Sequence, residues 1–340
     1  MPNDVLISRT MLDAIEKSIV RQGSFFRDKF FSVVYSIPTT VYEYDAITYN
    51  SDSLPFAGYD AESTTDALQG YETHVARLEC IRHKHVLTPA DIEQRLPGFT
   101  AYDNQDKIAE LQNMSYGELE RALIRTEEKM SVQAITEGRV TALMANGSTK
   151  VLATYWDTPV TGAATDPVVS AGSQWSASTT GAEMLAQILG WKNLVITNGG
   201  SNPNMLVVAA DIGAKLARAL MATPTGLLNP GPVDAGAQYD VEGIQYLGKF
   251  AGLDLYCSGA ALGGSPLLAN GTAILGSSGV NKMLYGPTFL PTFDAMAKIV
   301  GRRTMYTDVS RDPVAFGNII QSAPLPLVRR KWDNLYIKGL

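Results

Sequence analysis

The residue types that most often do chemistry come together once in this sequence, at Cys80, His83 and His85. Three potential metal ligands fall within six residues, but Cys-x2-His-x-His lacks a fourth ligand and the paired spacing of a structural zinc site. In a strand, His83 and His85 would share one face, which favours a polar strand face over a metal site. His74 is the only other histidine, so a histidine-based triad would have to draw on this cluster. We expect no metal and no cofactor here.

Two serines, Ser201 and Ser278, stand among glycines, but neither lies in the Gly-x-Ser-x-Gly pattern of a nucleophile elbow. Both contexts are typical of turns. The sequence also lacks a phosphate-binding loop and a dinucleotide-binding Gly-x-Gly-x-x-Gly motif. Carboxylate pairs such as Glu127 and Glu128 are expected on an exposed helix face, where nothing would separate their pKa values. These observations together predict a protein that is not an enzyme.

The composition is that of a folded protein, with 340 residues, 45% hydrophobic and 18% charged. A formal net charge of −6 argues against a dedicated nucleic-acid binder, so any DNA contact should be nonspecific. Two distant cysteines, Cys80 and Cys257, form no disulfide framework and indicate a reducing, cytosolic compartment. Acidic residues interrupt the apolar N-terminal stretch, so we expect no signal peptide, and no apolar run is long enough for a bilayer.

Two unusual elements must position any functional surface. Residues 42–86 alternate apolar and polar side chains and predict an extended β-hairpin with a turn near residues 50–58. Residues 106–145 predict a single helix about 60 Å long, with Gly117 as a possible break. Glu118 with Arg121, and Arg125 with Glu128, have the spacing of exposed ion pairs. Because a two-stranded hairpin is marginal alone in water, it needs a partner surface.

The N-terminal region leaves two interpretations open. Residues 5–27 have the apolar spacing of an amphipathic helix, and the pairs Phe25-Phe26 and Phe30-Phe31 follow. The helix and its rings could dock on the core of their own chain. Equally, the rings could anchor an arm on a neighbouring molecule, since a terminal arm seldom has enough of its own chain around it to bury four rings.

The remaining chain divides near Gln174. Before it we predict a short helix at 88–93 ending by residues 97–98, a helix end or tight turn at Asn146-Gly147, and a strand at 150–155. Beyond it, residues 181–300 predict an α/β domain with helices at 182–189 and 205–220 and strands at 194–197, 254–257 and 272–275. The tail, 303–340, should be extended and rejoin the first domain.

Over nearly its whole length the sequence resembles the lambda-type phage major capsid proteins, the capsid protein E family. No single motif is specific, but seven occur in the family's order. They are FFRDKFF (25–31), LTPADI (87–92), EEKM (127–130) followed by Ala134 and Glu137-Gly138, WS (175–176), PNMLV (203–207), DP (312–313) and QSAPLP (321–326).

The resemblance implies an α+β fold, the Hong Kong 97 phage-type major capsid fold. Its parts would be an N-terminal arm (1–41), an extended loop (42–86), a peripheral domain (87–180 and 301–340) with a spine helix at about 106–145, and an axial domain (181–300) with an adaptable loop at 223–236. Assembly contacts would fall on the aromatic residues of the arm and loop, namely Phe25, Phe26, Phe30, Phe31, Phe56 and Tyr59.

The resemblance also implies a function: the structural head protein of a tailed double-stranded DNA phage or prophage. Its copies would form the pentamers and hexamers of an icosahedral shell, assembled in the bacterial host cytoplasm and found in the virion. Implied partners are further copies of itself, packaged DNA contacted nonspecifically, and a decoration protein, a scaffolding protein and a portal, with no membrane. No lysine occurs between Tyr42 and His83, so the Lys-Asn cross-link of some such loops is not expected. The alternative is the shell protein of a cellular encapsulating compartment with the same fold.

Overall fold

The computed structural model describes most of the chain. The described residues are 24–47, 71–93, 104–156, 166–172, 174–176, 178–198, 200–221, 243–262, 265–291, 296–312 and 314–340. Several sequence predictions therefore lie outside the described residues: most of the helix at 5–27, the turn at 50–58, the helix end at 97–98, the loop at 223–236, and the side chains of Phe56 and Tyr59.

The helices within the described residues differ greatly in length. They are α1 (Phe25–Phe30), α2 (Pro89–Glu93), α3 (Asn104–Thr136), α4 (Gly181–Thr197) and α5 (Ala210–Met221), with a 3₁₀ turn at Lys331–Asp333. The short predicted helix is confirmed as α2. The long predicted helix is confirmed as α3, which continues through Gly117 without a break. At 33 residues it is about 50 Å long.

Helix α3 ends nine residues before the predicted boundary at residue 145. The reason is Gly138, which takes a left-handed φ of +67° and turns the chain out of the helix. Its carbonyl oxygen accepts a hydrogen bond from the Tyr155 amide at 2.7 Å, so the chain enters a strand pair at once. The strands on either side of the predicted Asn146-Gly147 turn then form a hairpin, with Gly147 at φ +79°.

Most strands before residue 180 belong to hairpins or small sheets. They are β1 (Val33–Ser36), β2 (Val41–Ile47), β3 (Tyr71–Arg77), β4 (Ile81–Leu87), β5 (Arg139–Leu143), β6 (Thr149–Thr154) and β7 (Val168–Ser170). Strands β2 and β3 pair antiparallel from Val41–Arg77 to Ile47–Tyr71, which confirms the two strands of the predicted hairpin. The second half of the predicted hairpin, up to residue 86, is not one strand: β3 ends at Arg77 and β4 begins at Ile81.

The strands after residue 200 build larger sheets. They are β8 (Met205–Ala209), β9 (Ile244–Phe250), β10 (Leu253–Ser258), β11 (Ala261–Leu262), β12 (Ser265–Pro266), β13 (Thr272–Gly276), β14 (Lys282–Tyr285), β15 (Pro287–Pro291), β16 (Met296–Val300), β17 (Thr304–Arg311), β18 (Val314–Ser322), β19 (Pro324–Leu327) and β20 (Asn334–Lys338). One mixed sheet has six strands in the order β7-β20-β13-β8-β10-β9. Two three-stranded sheets have the orders β1-β14-β19 and β17-β18-β4, and β15 pairs with β16.

The central strands β8 and β13 of the six-stranded sheet are buried on both faces. In β8, Leu206 and Val208 face a core formed with α4 and α5. Met205 and Val207 face a second core, which contains the rings of α1 and the end of α3. A strand buried on both faces is a continuous apolar run with no alternation, so its type cannot be read from periodicity. This is why the helix predicted at 205–220 is wrong over its first five residues and begins only at Ala210.

Helix α4 is also longer than predicted. The strand predicted at 194–197 is wrong, because these residues form the last turn of α4. The helix begins with a reciprocal cap: the Glu183 amide donates to the Thr180 hydroxyl at 3.4 Å, and the Thr180 amide donates to the Glu183 carboxylate at 2.9 Å. This cap fixes the start of the helix at Gly181, one residue before the predicted boundary.

The tail is extended, as predicted, but its strands join two different sheets. Strand β18 pairs with β4 and lies on α3, within the predicted peripheral domain. Strand β20 instead pairs with β13 and β7 in the six-stranded sheet, beside strands of the predicted axial domain. The two predicted domains therefore share one sheet.

We expect the end of α3 to be sensitive to any side chain at Gly138. A Cβ there would lie 2.2 Å from the Trp156 ring and would require an unfavourable positive φ. Gly138→Ala should lower the free energy of unfolding by about 2 to 4 kcal/mol in urea titrations. Gly117→Ala is the matched control, because nothing lies within 4 Å of that Cβ position, and it should stabilise by up to about 1 kcal/mol. Equal effects at both positions would contradict the assigned helix end.

Candidate functional site

One carboxylate in the C-terminal half of α3 holds helix α1 in place. Glu128 accepts a hydrogen bond from the Phe26 amide at 2.7 Å and another from the Arg27 amide at 3.1 Å. These amides belong to the first turn of α1 and have no partner within the helix. Glu128 thus caps α1 from a distance of about a hundred residues along the chain, and its side chain is buried. A negative charge is also favoured at this helix end.

Next to this cap lies a cluster of buried and partly exposed charges, which we call the arginine cluster: Arg27, Glu120, Glu127, Arg302 and Arg303. Glu127 receives the Arg27 guanidinium at 2.9 Å, Arg303 at 3.6 Å and Arg302 at 3.7 Å. Glu120 forms an ion pair with Arg303 in which both side chains are buried. The cluster joins α1, α3 and the segment between β16 and β17.

Burial changes the acidity of these groups. It raises the pKa of Glu128 to about 7, against the lowering effect of the two amide hydrogen bonds. It likewise raises the pKa of Glu127 to about 7, against the attraction of Arg27. Burial and the neighbouring Glu127 also raise the pKa of Tyr285. A carboxyl whose pKa is close to neutral can change its protonation state in the pH range of the cell.

The prediction that Glu127 and Glu128 lie on an exposed helix face is wrong. The same helix exposes Arg125 and Lys129, whereas both glutamates point into the protein. The predicted Arg125–Glu128 ion pair is therefore absent from the described residues, because Glu128 holds α1 instead. The sequence feature that could have indicated this burial is the presence of basic residues elsewhere, at Arg27 and the pair Arg302-Arg303. These arginines supply the counter-charges.

The four phenylalanines of the arm lie in the core of their own chain. Phe26 and Phe30 have no exposed area, Phe31 is 1% exposed and Phe25 is 6% exposed. The rings of Phe26 and Phe30 stack with centroids 5.9 Å apart, and Phe25 meets Tyr256 edge-on at 4.8 Å. For residues 25–31 this geometry supports core docking. A role in assembly contacts stays a prediction, and these rings could exert it only by holding their own segment in place.

The residues considered for chemistry lie in three separate places. The His83 and His85 rings stand 5.7 Å apart on β4, and His85 lies 3.9 Å from Glu118. The Ser201 hydroxyl donates to Asp333, and Ser278 bonds to Asn204. Over the part of the chain that the structure describes, no three His, Cys, Asp or Glu side chains group as a metal site.

The β2–β3 hairpin presents two different faces. Tyr42 and Tyr44 pack toward the core, and Tyr44 stacks on His74 with centroids 5.4 Å apart. On the other face, Val41 is 44% exposed and Val75 is 52% exposed. Apolar side chains left in water along a hairpin fit a surface that another molecule covers.

A groove lies along α3, away from the arginine cluster. Its volume is about 860 Å³, and it runs between α3, the β5–β6 hairpin and the start of β4. Met130 and Leu152 line it, and Leu143 at its edge is 78% exposed.

The raised pKa of Glu128 predicts a pH dependence of stability. The folded protein holds a proton on Glu128 that the unfolded chain, with a pKa near 4.5, releases. Stability should therefore fall as pH rises from about 5 to about 8, by up to about 3 kcal/mol for this group. Glu128→Gln cannot titrate, so its urea stability should lack this part of the slope. Parallel pH profiles for the two proteins would contradict the assignment.

Comparisons with solved structures give the same architecture. A protein crystallised as the candidate capsid protein of a prophage of E. coli CFT073 aligns with a TM-score of 0.67 at 14% identity, over 97% of this chain and 98% of that one. The capsid of Ralstonia phage GP4 aligns at 0.56 and 11% identity, over 94% and 92%. The SrpI encapsulin of Synechococcus elongatus PCC 7942 aligns at 0.51 and 9% identity, over 97% and 95%.

At these identities the likeness shows the fold alone, and it confirms the α+β, Hong Kong 97 phage-type shell fold. Among curated protein sequences, none matches significantly. No helix within the described residues is long and apolar enough to cross a membrane.

Family membership is decided by the sequence itself. The family model described as phage major capsid protein E matches residues 8–331, from the arm to the tail. The match includes both the glutamates that hold α1 and the arginines between β16 and β17. This chain therefore belongs to the phage major capsid protein E family.

Proposed function

We propose that this protein is the major capsid protein of a tailed double-stranded DNA phage or prophage, and that its copies form the pentamers and hexamers of an icosahedral shell around the genome. The observation that carries the proposal is the family match over residues 8–331. A match of this extent includes the arm, the hairpin and the long helix, which a compact enzyme would have little use for.

The exposed hairpin face supports self-assembly. Two strands bury too little apolar surface to be stable alone, and β2–β3 leaves Val41 and Val75 in water. In a closed shell of identical subunits, each such surface meets the same partner surface on the next copy. The protein is then a structural subunit and carries no catalytic role.

The proposed parts of the subunit follow the family's arrangement with one change. The arm spans residues 1–41 and the extended loop 42–86. The peripheral domain takes 87–180 and 301–340, with α3 as its spine, and the axial domain takes 181–300. Because β7 and β20 pair within the sheet of the axial strands, we assign those two strands to the axial layer.

The proposed partners follow from assembly and from charge. Subunits contact one another, and a net charge of −6 leaves packaged DNA only nonspecific contacts. A portal, a scaffolding protein and a decoration protein complete the set. The shell assembles in the cytoplasm of the bacterial host and remains in the virion. With no lysine between Tyr42 and His83, the loop supplies no lysine for a covalent cross-link, and noncovalent contacts stabilise the shell.

The second candidate function is an encapsulating compartment, favoured only by the fold shared with the SrpI encapsulin. The two functions differ in what the shell contains. Electron microscopy and sedimentation velocity of the expressed protein would detect shells, tubes or capsomers. Extraction of purified shells would then show either DNA or an enzyme cargo. A homogeneous monomer under several salt conditions, with and without co-expressed phage proteins, would contradict both functions.

We expect deletion of residues 52–69 to separate folding from assembly. The arginine cluster and the described residues of both cores lie outside this segment, so we expect the variant to remain folded and soluble. It should form no closed shells, because the loop can no longer reach a neighbour. The measurements are circular dichroism with thermal unfolding for the fold and electron microscopy for the shells.

The control replaces residues 52–69 with a Gly/Ser linker of equal length, which keeps the reach of the loop and removes its side chains. We expect the linker variant also to fail in assembly. Normal shells from the deletion would show that the extended loop is not an assembly element.

A further inference from the structure

The tip of the β5–β6 hairpin carries an asparagine–glycine pair, Asn146-Gly147, followed by Ser148. In such a pair the amide nitrogen of the glycine can attack the carboxamide carbon of the asparagine and close a five-membered ring, and glycine has no Cβ to obstruct the approach. Residues 145–149 are all exposed, and nothing lies within 4 Å of the position that a Cβ on Gly147 would take. The reacting atoms are therefore open to water.

Two hydrogen-bond donors point at the side-chain oxygen of Asn146. The Ser148 amide donates to Asn146 Oδ1 at 3.0 Å, and the Ser148 hydroxyl donates to the same oxygen at 2.6 Å. Such donors stabilise the negative charge that develops on a carbonyl oxygen when a nucleophile attacks its carbon. The Gly147 amide donates to the Met144 carbonyl at 2.9 Å, and this bond must open before the attack. The turn thus prepares the electrophile and holds the nucleophile by one bond to a neutral group.

The chain contains two further asparagine–glycine pairs, at Asn198 and Asn270, and each is held differently. After Asn270, the Gly271 amide donates to the two Asp211 carboxylate oxygens at 3.0 and 3.3 Å. A neighbouring negative charge opposes loss of the amide proton, so this nucleophile is restrained. The Asn198 side-chain nitrogen donates to the Leu194 carbonyl at 2.8 Å, which fixes its carboxamide against the end of α4. The two pairs therefore serve as comparison sites within the same molecule.

We infer that Asn146 is a site of spontaneous modification, at which the side-chain amide becomes a carboxylate through a cyclic imide. The Gly147 nitrogen loses its proton to water or hydroxide and bonds to Asn146 Cγ. The Cγ–Nδ2 bond then breaks, and the side-chain nitrogen leaves as ammonia. Water adds to one of the two ring carbonyls and opens the ring. Addition at Cγ gives aspartate, whereas addition at the main-chain carbonyl carbon gives isoaspartate, in which the chain runs through the former side chain.

The modification changes both the charge and the backbone of the hairpin tip. Each event replaces a neutral amide by a carboxylate, and isoaspartate adds one carbon to a turn that is closed by the hydrogen bond from the Met144 amide to the Ser148 carbonyl. Met144 and Ala145 line the groove along α3, so the new charge lies at its edge. The reaction needs no assembly and stands apart from the proposed function. In a shell of many copies, the modified fraction would rise with the age of the particle.

The test follows all three asparagine–glycine pairs in one sample. The purified full-length protein is incubated folded and, in parallel, unfolded in guanidinium chloride, at a mildly alkaline pH that promotes loss of the amide proton. Peptide mass spectrometry gives the modified fraction at each asparagine over time, and enzymatic methylation distinguishes isoaspartate from aspartate. In the unfolded chain we expect similar rates at the three pairs. In the folded protein, Asn146 should react at least about fivefold faster than Asn198 and Asn270, since bonds that restrain those two pairs must first break.

Matched variants separate the role of the turn from that of the local sequence. Ser148→Ala removes the hydroxyl donor and should slow the reaction in the folded protein by about three- to tenfold, the effect of one hydrogen bond. The same variant should leave the rate in guanidinium chloride unchanged, and Ser148→Thr, which keeps a hydroxyl, should react nearly as the unmodified protein does. Asp211→Asn replaces the carboxylate on the Gly271 amide by a neutral group and should accelerate the reaction at Asn270 alone. Circular dichroism verifies the fold of each variant.

Two outcomes would overturn the inference. In the first, Asn146 in the folded protein reacts no faster than Asn198 and Asn270, which would show that the turn protects the pair. In the second, folded Ser148→Ala reacts as fast as the unmodified protein, which would show that the donors on Asn146 Oδ1 have no part in the reaction. Both measurements use the folded subunit, so neither depends on whether the protein forms shells.

Discussion

The subunit depends on the burial of charge in the C-terminal half of α3. Glu128 satisfies two amides of α1, and Glu127 lies among three guanidinium groups. Charges removed from water are costly unless their partners are well placed, so this cluster adds little net stability for its size. The cluster instead favours one position of these segments over others, because a shift of α1 or of the segment between β16 and β17 would leave a buried charge without a partner. The hydrogen bonds and ion pairs therefore fix the position of α1 more narrowly than apolar packing of the phenylalanine rings alone would.

The second constraint is the sheet that separates the two cores. Because β8 and β13 are buried on both faces, any change in the angle of the sheet would disturb the packing of α4 and α5 and that of α1 together. The tail adds to this coupling, since β18 lies on α3 while β20 enters the shared sheet. Strands β18 and β20 are close in sequence but lie in different sheets, so linear boundaries cannot divide the chain into the two predicted domains.

Some elements of this structure could be predicted because they leave a local pattern in the sequence, and others could not because they leave none. The order of seven motifs was enough for the fold, and alternation and turn residues were enough for β2, β3 and the β5–β6 turn. The strand at Met205–Ala209 was missed because a doubly buried strand has no period. The end of α3 was missed because Glu137-Gly138 is a short stop signal followed by apolar residues. Burial of Glu127 and Glu128 could not be predicted locally, since it depends on arginines at least a hundred residues away.

The division between buried and exposed side chains has a consequence for how a shell would form. The phenylalanine rings of α1 and Phe31 are buried inside the subunit, while the exposed surface of the described residues carries scattered apolar side chains, such as Val75 and Leu143, among charges. Contacts through such a surface are individually weak, and exposed ion pairs contribute at most about 1 kcal/mol each. Weak contacts can open and re-form, so a misplaced subunit is released before the shell closes. Each subunit then gains stability from many simultaneous contacts, and the closed shell persists although no one contact would hold it.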